Sequence, residues 1–383
     1  MPSALFVTTI PITLEAFLLP FADHFRRQGW RIDALSNGST RVPLLAEHFD
    51  KRYDAAWSRN PLAPANLLGT ASGVREIVSA NAYDIVHVHT PIAAFVTRYA
   101  LRGLHRAPAG PSVVYTAHGF HFYRGQPALP HAVFRTMERV ATPWTDFLVT
   151  INREDFSAAL SLGGIDPEHV RYIPGIGVDT ARFSPEAPGR EDAARIRAEL
   201  GAGPEDFLAV MVAEFSAVKR HAFALDAIAA VADPRVKVAL IGNGPLEADV
   251  RARVERLGLD NRVRFAGYRR DLPTVLRASD ALMLVSEREG LNRSVLEAMA
   301  CGTPVIGTAT RGITDAVGDE AGWIVGHSDA AALARAIDAA AADANDVARR
   351  GAAARERVCT EFALEKTLAA YDGLYREALA SRL

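Results

Sequence analysis

The sequence predicts an α/β fold built from two doubly wound parallel sheets in tandem, and three observations predict it. Short apolar runs alternate with longer amphipathic stretches along most of the chain. A Gly- and Pro-rich segment at residues 173–185, with neither helical nor strand period, interrupts that alternation near the middle. At 383 residues the chain is longer than one hydrophobic core ordinarily supports.

In the first half the apolar runs are residues 4–8, 85–89, 113–116 and 147–151. Runs this short and this rich in Val, Ile, Leu and Phe suit strands buried on both faces. Between the first run and Gly29-Trp30, Leu14, Phe17, Leu18, Phe21 and Phe25 recur at helical spacing. They predict a helix that the glycine ends, with its stripe turned to the core rather than to a membrane. The second half repeats the style at residues 207–213, 237–241, 263–265, 281–285 and 304–306. Beyond about residue 329 the chain is Ala-rich, which argues for helix rather than low complexity. The reading is a first domain at 1–175, a linker at 176–190, a second domain at 191–365, and a C-terminal helix at 366–383 packing back on the first domain. Such sheets bind ligands outside their strand C-terminal ends, so two in tandem predict a site in a cleft between domains.

Hydrophobic residues make up 49% and charged residues 23%, and the formal charge is -2. That balance is globular and offers no electrostatic pull toward nucleic acid. Cys301 and Cys359 are too few for a disulfide framework or a cysteine-rich zinc site, and fit a reducing cytoplasm. The first basic residue is Arg26, and no apolar run approaches the ~18 residues of a membrane helix. Neither a signal peptide nor a span is expected, and any membrane contact is expected to be peripheral.

Residues 279–306 carry the most specific signal, a strand, a tight turn and a helix. Gly290 permits the turn and Asn292 is placed to cap the helix. Free N–H groups near Arg293, Ser294 and Val295 would face outward from the strand edge, an end that binds phosphate without a cation. Leu296, Met299 and Ala300 suit the buried face. Glu297 falls in the first turn, where a carboxylate can accept hydrogen bonds from vicinal ribose hydroxyls, and Glu289 on the turn lies nearer a sugar. Either acid alone is also compatible with a solvated helix start; their joint placement beside Gly290 is what points to a ligand.

This element, with Gly290-Leu291 inside it and Glu-Ala-Met-Ala-Cys-Gly-Thr-Pro-Val after it, closely resembles the signature of the family-4 retaining glycosyltransferases of GT-B fold. The resemblance implies two Rossmann-like domains facing a cleft, with C-terminal helices, and a nucleotide diphosphate sugar as donor. It implies that Glu297 binds the donor ribose and that Glu289 lies against the donor sugar. Residues 212–221 resemble the family segment whose lysine binds the donor diphosphate, which falls on Lys219. An ammonium there would stabilise charge building on the departing nucleotide, although a lone lysine is equally compatible with a surface residue. Relatives often carry an arginine a few positions earlier; this chain has Glu214 and Phe215, and Arg220 is the candidate substitute. Gly242-Asn-Gly244-Pro resembles the Gly-rich turn near the nucleotide, though alone it is also an ordinary turn, and Gly177 completes the donor set.

Nine of the eleven histidines fall at or before His169. His87 and His89 share one run, and His118 and His121 follow another. A metal site is not favoured, because no carboxylate ligand stands at helical spacing, and neither metal nor other cofactor is expected. His118, just past a strand, can hydrogen-bond a sugar hydroxyl or help stabilise developing charge; a packed core imidazole is the alternative. Residues 83–91, 115–123, 151–155 and 173–179 resemble the bacterial subgroup that builds capsule, exopolysaccharide or lipid-linked glycans. That implies a UDP-hexose or UDP-N-acetylhexosamine donor and a polyprenyl-diphosphate-linked acceptor at the cytoplasmic membrane face. Where many relatives have a Gly-Gly turn after the first strand, this chain has Thr8-Thr-Ile-Pro-Ile-Thr13, so Thr9 and Thr13 join His89, Arg59 and His121 as acceptor candidates. Residues 51–61 mix cations and aromatics, and both a solvated loop and contact with a lipid diphosphate or membrane interface stay open.

The expected reaction is transfer with retention. Lys219, the helix start near Ser294 and Arg220 stabilise the leaving diphosphate, His118 and Glu289 act at the sugar, and the acceptor attacks from the same face without an enzymic nucleophile. Cleft closure would exclude water. Two other readings are a GT-B UDP-sugar 2-epimerase and a non-catalytic nucleotide-sugar-binding partner subunit, the second disfavoured by the joint presence of Glu289, Glu297, Lys219 and His118. A dehydrogenase is not expected, because no Gly-x-Gly-x-x-Gly follows the first strand.

Overall fold

The computed structural model, which describes residues 1–58, 63–107, 110–186 and 190–381, resolves the apolar runs into two all-parallel sheets. One unit comprises Met1–Ile176 and Thr367–Leu383, the other Gly177–Lys366. The first unit holds β1 (Ser3–Val7), β2 (Arg31–Ser36), β3 (Arg52–Asp54), β4 (Ile85–His89), β5 (Ser112–Ala117), β6 (Phe147–Thr150) and β7 (Val170–Tyr172), ordered β3-β2-β1-β4-β5-β6-β7. The second holds β8 (Phe207–Val212), β9 (Val236–Ile241), β10 (Val263–Gly267), β11 (Ala281–Leu284), β12 (Val305–Thr308) and β13 (Gly322–Val325), ordered β10-β9-β8-β11-β12-β13. In each sheet the order reverses beside the unit's first strand, between β1 and β4 and between β8 and β11. The strand C-terminal ends beside such a reversal are where open parallel sheets bind ligands.

The two faces of the first sheet are chemically unlike. Leu5, Val7, Val86, Val88, Val113 and Tyr115 join an apolar cluster with Val74, Val78, Ala93 and Val96 from the helices Ala71–Asn81 and Pro91–Leu101. Alternation along the strands turns Phe6, His87 and His89 to the opposite face, where Phe6 lies edge-on to both imidazoles. That face is closed by helix Leu19–Arg27 and the C-terminal helix Leu364–Ala380: Phe25 stacks on Tyr375 at 4.5 Å and Phe21 meets Tyr371 edge-on at 5.3 Å. His87 is therefore buried under the C-terminal helix, with Nδ1 2.6 Å from the Tyr375 hydroxyl and Nε2 2.8 Å from Thr116 Oγ1. The same helix is held by a His24–Asp372 contact at 3.0 Å and an Arg171–Glu377 ion pair. Of the predicted stripe, Leu14, Leu18, Phe21 and Phe25 are buried, and Leu14–Leu18 forms a π-helical turn ahead of the α-helix.

Strands β2, β3, β7 and β13 lie outside the apolar runs. In β2 the position facing the core at Asp33 carries a carboxylate, which accepts from the Tyr83 hydroxyl and the Lys51 N–H; burial pushes its pKa up. β3 and β7 are three-residue edge strands, too short to show a period. β3 falls within residues 51–61. There Arg52 Nη1 donates to the Val42 carbonyl at 3.0 Å, Tyr53 donates to Asn81 at 3.0 Å and Trp57 is buried. Arg52, Tyr53 and Trp57 thus support an edge strand, and Arg59 lies outside the described residues.

In the second unit β8, β9, β11 and β12 are core throughout apart from Val212 and Lys237, which are partly buried. Val178 bridges to Ala363, and Arg355 donates to the carbonyls of Thr180, Phe183 and Ala300, so the segment after residue 177 is anchored in this unit. No helix among the described residues is long and apolar enough to cross a membrane.

In the first unit the buried Arg98 pairs with Glu138 at 2.8 Å, and Glu138 also accepts from the Tyr115 hydroxyl. Arg98→Ala strands that carboxylate and is expected to cost about 3–5 kcal/mol in urea denaturation. Arg171→Ala, removing a half-exposed pair with Glu377, is expected to cost under ~1 kcal/mol.

Candidate functional site

At the switch point of the second sheet two βα loops are tied together. After β8 the chain enters a 3-10 turn, Ala217–Lys219, and Arg220 takes the left-handed conformation (φ 54°) that redirects it into helix His221–Ala230. From the loop after β11, the Glu287 N–H donates to the Val218 carbonyl at 2.8 Å, and Lys219 Nζ lies 2.6 Å from Glu289 Oε1. This ion pair is 20% and 11% exposed. The loop is held from its other side too: Thr310 donates to the Ser286 carbonyl, Arg311 Nε to the Glu289 carbonyl, and a Cβ on Gly312 would lie 2.0 Å from the Gly290 oxygen.

Helix Arg293–Ala300 starts where the sequence places it. The Asn292 side-chain oxygen accepts from the Val295 N–H at 3.2 Å, and the Ser294 hydroxyl donates to the Val212 carbonyl at 3.2 Å, pinning the helix start to the end of β8. Leu291, just before the cap, packs against the core, as do Leu296, Met299 and Ala300. Glu297 is only 4% exposed, and its Oε1 is 2.6 Å from Arg293 Nε. Burial raises the pKa of its carboxyl above the ordinary value, against the pull of Arg293.

Some of the donor candidates also have contacts within the fold. Arg220 Nη1 donates to the His327 carbonyl at 2.7 Å and the guanidinium lies 4.1 Å from the Phe223 ring centroid, contacts that brace the loop and leave its charge unneutralised. Gly242 and Gly244 serve loop packing, since a Cβ would meet the Ala213 oxygen at 2.2 Å or the Phe215 backbone at 2.6 Å. Gly177 supplies a φ of 75° beside the Val178–Ala363 bridge. A residue the sequence reading passed over is His221, buried and stacked at 4.5 Å on Phe215; burial, then Lys219, lower its pKa to about 4.

At the switch point of the first sheet, the Thr9 N–H donates to Thr90 Oγ1 at 2.9 Å, and the two hydroxyls are 2.7 Å apart. Thr90, also unforeseen, has φ 62° and ψ 136°, an unusual conformation for a β-branched residue that stores roughly 1–3 kcal/mol of strain. Thr13 is buried in a helical turn, which removes its side chain from an acceptor role. His118 is partly buried; its Nε2 is 3.0 Å from His89 Nδ1 and its ring stacks on Phe17 at 6.0 Å. Burial pulls its pKa to about 4, so it is neutral at physiological pH. His89, 1% exposed, is too deep to touch an acceptor and contacts His118 instead. His121 lines a separate, mostly apolar cavity of about 150 Å³ with Pro91, Ile92, Phe95, Phe134 and Met137.

Residues 14–182 match the family described as Glycosyltransferase Family 4, and residues 192–357 that described as Glycosyl transferases group 1. EpsD of Bacillus subtilis (strain 168), provisionally named a glycosyltransferase, is 34% identical over 87% of this chain and 86% of its own. The chain belongs to the family-4 glycosyltransferases. This glycosyltransferase also shares 29% identity with the Escherichia coli UDP-Gal:alpha-D-GlcNAc-diphosphoundecaprenol alpha-1,3-galactosyltransferase, over 58% of this chain and 57% of that one. Anabaena HepE, solved in complex with UDP and glucose, aligns with a TM-score of 0.80 over 98% of this chain and 100% of that one at 21% identity, a likeness of fold. The fold is GT-B, with two Rossmann-like parallel-sheet domains.

The Gly312–Gly290 approach gives a direct check on the turn that carries Glu289. Gly312→Ala is expected to destabilise the glycosyltransferase by about 1–3 kcal/mol, seen as a lower urea midpoint. Gly73→Ala, in a helix where nothing lies within 4 Å, should instead stabilise it by up to about 1 kcal/mol.

Proposed function

We propose that this glycosyltransferase moves a hexose or N-acetylhexosamine from UDP, with retention, to a glycan carried on polyprenyl diphosphate, in surface polysaccharide synthesis at the cytoplasmic face of the membrane. The observation that carries the reading is the Lys219–Glu289 pair at the capped start of helix Arg293–Ala300, with Glu297 one turn in. The substrates named for the Escherichia coli relative and the UDP in the HepE complex support the donor and acceptor classes.

In this proposal Glu297 accepts the ribose hydroxyls, while the N–H groups at Arg293 and Ser294 and the Lys219 ammonium meet the diphosphate. A bound diphosphate exchanges one anionic partner of Lys219 for another, and the Glu289 carboxylate is released to accept from a sugar hydroxyl. When the bond from the anomeric carbon to the diphosphate oxygen breaks, the electron pair goes to the diphosphate, where Lys219 and the helix start stabilise it. The acceptor oxygen bonds to the anomeric carbon on the face just vacated, and its proton passes to the leaving phosphate oxygen. Configuration is retained with no enzymic nucleophile and no metal assigned, and His118 supplies a neutral hydrogen bond at the sugar.

Assay of the purified protein with a panel of UDP- and GDP-sugars and lipid-linked acceptors tests this directly. An α-linked product from an α-donor is expected; an inverted linkage overturns retention, and a sugar epimer released without acceptor overturns transfer. Glu297→Ala is expected to weaken binding of the accepted donor at least tenfold by calorimetry, about one charged hydrogen bond's worth. Wild-type affinity in that variant would sink the ribose assignment.

The raised pKa of Glu297 adds a pH signature with a definite sign. Only the ionised carboxylate accepts from both hydroxyls, so donor affinity is complete above that raised pKa and falls as pH drops through it. The fall should begin above the ordinary carboxylate range, about pH 4. Titrations with UDP-glucose, whose diphosphate diester does not titrate there, should show the fall in the wild type and a flat profile in Glu297→Gln.

A further inference from the structure

His89 and His118 form a dyad whose protons the surroundings assign. His89 is fixed on every side: its ring lies 4.0 Å from His87 and edge-on to Phe6, and His87 is itself held by Tyr375 and Thr116. Its Nδ1 is 3.0 Å from His118 Nε2, while its Nε2 is buried with no hydrogen-bond partner among the described residues. A neutral imidazole carries one N–H, and a buried N–H without an acceptor is costlier than a buried lone pair without a donor. The His89 proton therefore sits on Nδ1, where it has an acceptor. His118 Nε2 must accept it, which leaves the His118 proton on Nδ1, a nitrogen with no partner among the described residues. Phe17 lies nearly parallel to the His118 ring, with centroids 6.0 Å apart.

We propose that His89 is a positioning residue: by donating from Nδ1 to Nε2 of His118 it fixes His118 as the Nδ1–H tautomer and makes it a hydrogen-bond donor to a sugar oxygen rather than a general base. This rests on the reading above that His118 faces the sugar. It turns a histidine expected to touch the acceptor into one that sets the chemistry of its neighbour. Neutrality of both rings fits their depth, since burial lowers both imidazole pKa values.

The experiment is histidine ring-nitrogen spectroscopy on the full isotope-labelled protein, with His118 assigned by its disappearance in His118→Gln, alongside steady-state kinetics. In the wild type His118 is expected to show a protonated Nδ1 and an accepting Nε2; the reverse overturns the proposal without any variant. His89→Leu is expected to lose that single tautomer and to lower kcat about tenfold, the scale of one hydrogen bond, with donor KM unchanged. His89→Asn, whose amide N–H reaches the position of Nδ1, should restore both. An unchanged His118 spectrum and kcat in His89→Leu would overturn the positioning role. A wild-type rate in His118→Gln, with the Nδ1–H tautomer present, would remove His118 from the sugar and so overturn the proposal through the reading beneath it.

Discussion

The constraint on which the rest depends is that every strand in both sheets is parallel. Each strand must be returned to the same edge by a crossover, so every strand C-terminal end in a sheet opens on one side. Beside the first strand of each unit the order reverses, and the loops that leave the two neighbouring strands meet there. In the second unit Lys219 and Glu289 join them, and in the first Thr9 and Thr90. Residues far apart in sequence meet because the sheet leaves their loops nowhere else to go.

A second theme is how the fold handles charge at these edges. Lys219 and Glu289 neutralise one another, Glu297 is buried with Arg293 as its counter-ion, and the histidines near β4 and β5 are kept neutral by depth. A buried charge without a partner is costly, and Lys219, Glu289 and Glu297 each have a counter-ion. Arg220 gives one N–H to a carbonyl and lies against an aromatic ring, which braces the loop carrying Lys219 without neutralising its charge.

The C-terminal helix has a part that neither its length nor its composition suggests. Tyr371 and Tyr375, one turn apart, reach the polar face of the first sheet and complete the hydrogen bonds of His87 and Thr116. The C-terminal helix thereby fixes side chains far earlier in the sequence, at a separation of 288 for the Tyr375–His87 contact and 255 for Tyr371–Thr116. Because His87 packs on His89, that support extends to the dyad with His118.

The sequence by itself determined the fold class, the strands made of unbroken apolar runs, and the strand–turn–helix that holds Glu289, Asn292 and Glu297. These are local matters: period, turn chemistry and a cap act over a few residues and leave their marks there. It did not reveal β2, whose core position is an aspartate satisfied by Tyr83 fifty residues away, nor the strained Thr90. Tertiary structure alone decided that His89 is a buried partner of His118, that Arg220 donates to the His327 carbonyl, and that a Cβ at Gly242 or Gly244 would meet neighbouring backbone. The physical reason is common to all of these: burial and hydrogen-bond partners are properties of what surrounds a residue, and those surroundings are assembled only when distant segments meet.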